Sequence, residues 1–308
     1  MKTSTAALLG VVVLALAACQ EKPKVEPPRT LVVASFSTLA DFTRQVAGDR
    51  AEVVSLVPTG VEPHDWEPSP ADVARVEKAA VFVYNGAGFD AGAARLARTA
   101  AGKAIVVEAT AGLSLLTADL PGHDTHTHAK AKAEPDPHVW LDPLLARGQV
   151  EAIRAGLAKA DPANAAHYAT RAVNYTARLN ALHETLGTGL ADCARREIVV
   201  SHAAFAYLAK RYGLLQVPVM GISPEAEPSP AELARVVRLV RKLKAKVIFF
   251  ETLVSPKLAE TLAAEVGAKT LVLNPLEGLT ADEAKAGKDY VAVMEDNLKN
   301  LRIALECT

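Results

Sequence analysis

The feature that most constrains the fold is an alternation of short β-branched runs with helical patterns, which occurs once in each half of the chain. The strands predicted in the first half cover residues 31–36, 51–57, 81–85 and 104–108, and those in the second half cover 197–201, 214–219, 247–251 and 269–274. Helical patterns fill the gaps, for example at 38–46, 71–79 and 91–99. Strands that alternate with helices form parallel sheets covered by helices. The sequence therefore predicts an α/β fold with two (β/α)4-like lobes.

An internal repeat supports the division into two lobes. The segment 67–76 reads EPSPADVARV, and the segment 227–236 reads EPSPAELARV. Both copies place serine at a helix N-cap and proline at the first helical position. Chance similarity between two helix starts is the alternative to duplication. The predicted boundaries are an N-terminal lobe at 31–143, a helical region at 144–192 and a C-terminal lobe at 193–308. A long helix from about 163 to 191 is expected to join the lobes as a rigid rod.

The N-terminus has the pattern of an export signal. Lys2 precedes an uncharged apolar stretch from Ala6 to Ala18, which is short for a membrane-spanning helix. Residues 16–19 read LAAC, which resembles the bacterial lipobox, so residues 1–19 are predicted to be a lipoprotein signal peptide and Cys19 the lipidated residue. An ordinary signal peptide with a chance cysteine is the alternative. Residues 20–30 are expected to act as a tether between the lipid and the folded body. The protein is therefore expected on the outer face of the membrane or in the periplasm.

Two cysteines, Cys193 and Cys307, remain after Cys19. Disulfides persist in exported proteins, so the pair is predicted to form one bridge, with two free thiols as the alternative. The formal net charge of −1 and an aromatic content of 5% give no basis for binding nucleic acid.

Three of the eight histidines are predicted to lie in loop segments at or just after strand ends. His64 lies in GVEPHDWEP at 60–68, His138 in DPHVWLDP at 136–143, and His202 in SHAAF at 201–205. The carboxyl ends of parallel strands form the ligand crevice of open α/β sheets. Three imidazoles that meet there would suit a borderline metal such as Zn²⁺. Each histidine taken alone could instead have a purely structural role.

These segments resemble the zinc- and manganese-binding solute-binding proteins of bacterial ABC importers, the cluster A-I or TroA-like family. The resemblance runs from about Thr30 to the C-terminus and includes FFE at 249–251 and both EPSP copies. It implies two small lobes joined by a long helix, with the metal ion in the cleft. It also implies a monomer that delivers its ion to a membrane permease subunit, which a separate ATPase drives.

The resemblance leaves the fourth ligand open. Many relatives have aspartate in a strand-end DPL sequence, whereas this chain reads NPLE at 274–277. Some zinc-binding relatives use a glutamate at the position of Glu277, which is therefore the predicted ligand. Glu62 or a water molecule is the alternative, and Glu277 could also be a solvated loop acid. Glu251 is expected to orient a histidine from behind.

The presence of a histidine-rich loop at 122–134 indicates which metal a member of this family binds. His123, His126 and His128 lie in it, and such loops are typical of zinc binders in the resembled family. The loop is predicted to be mobile and to gather Zn²⁺ weakly, with incidental histidines as the alternative. The sequence thus predicts a non-enzymatic protein that captures Zn²⁺ for import. A manganese-binding member of the same family, a zinc-dependent hydrolase and a surface adhesin are the alternatives.

Overall fold

Eight short strands form two parallel sheets within residues 29–117, 134–224 and 228–308, the part of the chain that this computed structural model describes. The strands are β1 (Thr30–Ala34), β2 (Ala51–Ser55), β3 (Val81–Tyr84), β4 (Ile105–Glu108), β5 (Glu197–Val200), β6 (Leu215–Pro218), β7 (Val247–Phe250) and β8 (Lys269–Val272). The strand order is β2-β1-β3-β4 in the first sheet and β6-β5-β7-β8 in the second. The predicted two-lobed α/β fold is confirmed, and the shared order favours duplication over chance.

Most strands end one or two residues earlier than predicted. β1 ends at Ala34, β5 at Val200 and β7 at Phe250. The residues that follow β5 and β7, Ser201 and Glu251, leave the ladder and enter the loops at the carboxyl edge of the sheet. Their polar side chains make contacts in these loops, which the β-pattern of the sequence alone does not reveal.

Ten α-helices of the described residues surround the sheets. They are α1 (Ser37–Ala47), α2 (Pro70–Lys78), α3 (Ala91–Ala100), α4 (Pro143–Ala160), α5 (Ala165–Gly189), α6 (Ala206–Tyr212), α7 (Pro230–Leu243), α8 (Lys257–Val266), α9 (Ala281–Lys285) and α10 (Tyr290–Leu305). The serine and second proline of each EPSP repeat start α2 and α7, which precede β3 and β7. Ser69 and Ser229 each accept a hydrogen bond from the backbone of an acidic residue three positions on, which completes a capping box.

One apolar cluster extends through both lobes. Adjacent residues of a strand point to opposite faces, so Val32 packs toward α1 and α4 while Val33 packs toward α2 and α3. The cluster that contains Val32 continues through α5 to Ile198 of the second sheet. The outer face of that sheet packs separately against α7 and α8. The two lobes therefore share one apolar core, which lies on the α5 side of both sheets.

Helix α5 is the predicted rod between the lobes. Its 25 residues span about 37 Å at 1.5 Å per residue. Near its start, Arg171 Nε donates to the carbonyl of Gln45 in α1 at 2.8 Å. At its end, the carbonyl of Gly189 accepts from Arg302 of α10 at 2.9 Å. Within the described residues, no helix is both long and apolar enough to cross a bilayer.

The predicted disulfide is present. Cys193 and Cys307 are bonded across a sequence separation of 114 residues. The bridge joins the segment after α5 to the end of α10, so it closes the C-terminal lobe on itself.

Candidate metal centre

Four side chains converge between the lobes. Candidate ligand atoms of His64, His138, His202 and Glu277 all lie within 4.8 Å of one another. His64 and His138 come from loops of the first lobe, whereas His202 and Glu277 come from loops of the second. The structure thus brings together the three predicted histidines and the predicted glutamate, two from each lobe.

His202 follows β5 and is held by the neighbouring strand β7. Its Nδ1 lies 2.7 Å from Oε1 of Glu251, the first residue after β7. The backbone amide of His202 also donates to this oxygen at 3.3 Å. A carboxylate on Nδ1 fixes the tautomer and leaves Nε2 to face a metal ion. Glu251 thus lies where it orients a histidine.

His138 has an equivalent carboxylate partner on its own loop. Its Nδ1 lies 2.8 Å from Oδ1 of Asp136, which also accepts from the backbone amide of His138 at 2.9 Å. The loop is fastened to the first sheet because Asn85, directly after β3, donates to the carbonyl of Pro137 at 3.1 Å. Sequence analysis gave Asp136 no role, although an acid two residues before a candidate ligand is a readable signal.

His64 lies in the loop between β2 and α2. Its backbone amide donates to Oε1 of Glu62 at 3.0 Å, which folds the loop back on itself. The imidazole packs edge-on against the ring of Phe89, with the ring centres 4.7 Å apart. With 8% of its side chain exposed, His64 is the most accessible of the four residues.

Glu277 belongs to the second lobe but is held in place by the first. The indole Nε1 of Trp140 donates to the carbonyl of Pro275 at 2.7 Å. The hydroxyl of Thr38 donates to the backbone carbonyl of Leu276. The hydroxyl of Ser37 donates to the backbone carbonyl of Glu277 at 3.3 Å. Three consecutive carbonyls of this turn are therefore bound by donors across the cleft, which restricts where the Glu277 carboxylate can lie.

The same turn explains the role of Asn274, at the position where many relatives have aspartate. Its Oδ1 accepts from the amide of Leu276 at 2.8 Å, and its Nδ2 donates to Glu283 at 3.2 Å. Leu276 has a φ of 57°, in the left-handed region that leucine rarely adopts. The amide side chain of Asn274 therefore stabilises a strained turn, and this turn presents Glu277 to the histidines.

Opposite charges stabilise each other in this site. Burial alone would raise the pKa of Glu277, but the three imidazoles hold that pKa well below its usual range. Burial alone would lower the pKa of His202, but the carboxylates of Glu251 and Glu277 raise it well above its usual value. The pKa of His138 is raised in the same way by Asp136 and Glu277. Burial, followed by the charge of Glu277, raises the pKa of Glu62 to about 8.

The donor set fits a divalent cation. Oε1 of Glu277 lies 3.3 Å from Nε2 of His64, 3.1 Å from that of His138 and 3.2 Å from that of His202. Although Nε2 of His138 lies this close to Oε1 of Glu277, it is buried and makes no hydrogen bond. Three imidazole nitrogens and one carboxylate are a tetrahedral donor set for Zn²⁺.

The remaining predicted residues are not among the four converging residues, or they lie outside the described part of the chain. Glu62 accepts a bond within the His64 loop and is not one of the four converging residues. His123, His126 and His128 of the predicted gathering loop lie outside the described residues, as does Cys19, the predicted lipidation site.

Two lobes around an enclosed ligand site are an architecture found in periplasmic solute-binding proteins. Residues 32–304 match the ZnuA family, described as zinc-uptake complex component A, periplasmic. The chain belongs to this family.

Curated relatives and solved structures agree with this membership. The high-affinity zinc uptake system protein ZnuA of Bacillus subtilis is 40% identical over 89% of this chain and 87% of its own length. The zinc-binding lipoprotein AdcA of Streptococcus pneumoniae is 39% identical over 98% of this chain, which spans only 61% of AdcA. The Zn(II)-bound ZnuA-like domain of that AdcA is 40% identical, with a TM-score of 0.77, over 91% of this chain and all of that domain.

Proposed function

We propose that the chain captures Zn²⁺ outside the cytoplasm and delivers it to an ABC importer, with His64, His138, His202 and Glu277 as the ligands. The observation that carries the proposal is the convergence of these four side chains, with carboxylates on the far nitrogen of two imidazoles. The relatives named for zinc support the same ion. Glu277 supplies a fourth donor, which leaves no open position for an activated water, so the site favours binding over hydrolysis.

Nitrogen-rich coordination also favours zinc over other divalent ions. Mg²⁺ and Ca²⁺ prefer all-oxygen sites, and Mn²⁺ binds more weakly than Zn²⁺ in the Irving–Williams order. A manganese-binding protein is the second candidate, since the cluster A-I family contains zinc binders and manganese binders with the same fold.

A competitive Zn²⁺/Mn²⁺ titration on the metal-free protein, with and without Glu277→Ala, tests the function and the fourth ligand together. We expect one tight Zn²⁺ per chain that outcompetes Mn²⁺ and is weakened by Glu277→Ala. Glu67→Ala is the matched control, because Glu67 is an exposed acid that pairs with Arg95 on the surface. Loss of affinity in Glu277→Ala alone supports Glu277 as ligand. The absence of a tight Zn²⁺, or a preference for Mn²⁺, would overturn the assignment.

Binding is expected to release protons at neutral pH. His202 and His138 have raised pKa values, so the metal-free site holds protons that the ion must displace. Zn²⁺ affinity therefore increases with pH until these imidazoles are neutral, and it falls as pH decreases. Calorimetry at pH 7 in buffers of different ionisation enthalpy should give heats that depend on the buffer. Equal heats in all buffers would contradict the prediction.

The histidine-rich loop is proposed to gather Zn²⁺ near the site without supplying a ligand. Deletion of 122–134 is expected to leave the tight site intact and to remove only weak additional Zn²⁺ binding, measured by titration with excess ion. Loss of tight binding in the deletion variant would place a ligand in the loop and refute this division.

The protein is proposed to act as a lipid-anchored monomer beside a permease subunit and its ATPase. The lipobox supports Cys19 as the anchor. Cys19→Ser should shift the protein from the membrane fraction to the soluble extracytoplasmic fraction, measured by fractionation and immunoblotting. Retention of the variant in the membrane fraction would show that Cys19 is not the anchor.

A further inference from the structure

The proposed zinc site is almost closed to solvent. The side chains of His138 and His202 are 0% exposed and that of Glu277 is 1% exposed. Donors that are buried beside the site are therefore candidates for ligand exchange as the ion enters or leaves. Such donors line a void that includes Glu277 and none of the three histidines.

A narrow void lies there between the lobes. Glu62, Glu251, Thr252, Asn274 and Glu277 supply its polar lining, and it has no room for a water molecule. A divalent cation without its hydration shell is smaller than water. Carboxyl and hydroxyl oxygens are donors that bind divalent cations, so the lining offers a cation ligands.

Three oxygen atoms of this lining are buried without a hydrogen-bond partner. They are Oε2 of Glu251, Oγ1 of Thr252 and Oε2 of Glu277. Glu251 and Glu277 are only 3% and 1% exposed, so bulk water does not hydrogen-bond to their oxygens. Buried polar atoms are nearly always hydrogen-bonded, and exceptions require an explanation such as a bound ion. These oxygens are therefore candidate ligands for a cation in the void.

We propose that Glu62, Glu251, Thr252 and Oε2 of Glu277 form an oxygen-donor subsite that holds the divalent ion transiently during entry and release. Glu277 bridges the two positions, with Oε1 facing the imidazoles and Oε2 facing the void. Zn²⁺ prefers imidazole nitrogen to a set of oxygens, so the ion passes through the subsite and rests at the histidines. This inference rests on the proposed zinc function of the same cleft.

Exchange kinetics test the subsite. Zn²⁺ loading of the metal-free protein and Zn²⁺ release to an excess of chelator are followed by stopped flow for the wild type, Glu62→Gln and Thr252→Val. Glu62→Gln keeps an oxygen that can accept from the amide of His64 but replaces the carboxyl group with an amide, which is a weaker ligand. Thr252→Val keeps the shape and removes the hydroxyl. Glu67→Gln is the control, because it removes an exposed charge from the same loop region.

An exchange subsite lowers the barrier in both directions, so we expect Glu62→Gln to slow loading and release together by about tenfold. Thr252→Val should slow both by a smaller factor, and Glu67→Gln should change neither. If Glu62→Gln loaded Zn²⁺ more slowly but released it at the wild-type rate, Glu62 would only attract the ion and would not bind it, and the subsite would be overturned. Faster release would also overturn it. Failure of the wild type to bind Zn²⁺ tightly would refute the zinc function itself. That result can be distinguished from a failure of the subsite, because the subsite variants are compared with a wild type that binds Zn²⁺.

Discussion

Replacing His138 or His202 with alanine is expected to weaken Zn²⁺ binding by at least about 100-fold. The apparent binding free energy of a four-ligand zinc site is roughly 10–16 kcal/mol, so each donor contributes about 3 kcal/mol. In these two variants the loss also leaves a buried carboxylate, Asp136 or Glu251, without its imidazole partner. Competition titration against a chelator of known affinity measures the effect.

His167→Ala is the matched control for these variants. His167 lies on α5, where its Nε2 is 3.2 Å from the carbonyl of Ala47, and it has no place in the cleft. Its replacement should leave Zn²⁺ affinity unchanged. A His138→Ala or His202→Ala variant that folds, by circular dichroism, and keeps wild-type affinity would remove that histidine from the ligand set.

Loss of the disulfide is expected to lower the free energy of unfolding by about 4–5 kcal/mol. The bridge closes a loop with a sequence separation of 114 residues, which removes conformational entropy from the unfolded chain. Urea unfolding of the metal-free Cys193→Ala/Cys307→Ala variant should show a lower midpoint than that of the oxidised wild type.

Reduction provides the control for this variant. A reductant should lower the midpoint of the wild type toward that of the double variant and should leave the double variant unchanged. Equal midpoints for the oxidised wild type and the double variant would show that the bridge contributes no net stability.

Much of the fold could be predicted from the sequence because its signals are local. Strands buried on both faces give continuous β-branched runs, and Ser69 and Ser229 mark helix starts through contacts made within three residues. The loop contexts of His64, His138 and His202 were equally readable, since each lies in a short motif outside the strand and helix patterns.

The choice between Glu62 and Glu277 could not be made from the sequence in the same way. It depends on a turn in which Leu276 adopts a positive φ and on Trp140, which is 135 residues away from its partner Pro275 along the chain. No local pattern encodes a hydrogen bond between an indole and a carbonyl of the other lobe. The carboxylate behind His138 was also missed, because the acid of a DPH segment has several possible roles until its direction is known.

The distribution of the four donors has a mechanical consequence. Since two donors belong to each lobe, a force that separates the lobes divides the coordination shell into two weak pairs. The same separation breaks the bonds from Thr38 and Trp140 to the Glu277 turn, so the carboxylate loses the contacts across the cleft that fix its position. Separation of the lobes therefore weakens the coordination of the ion even where no competing ligand of higher affinity is present.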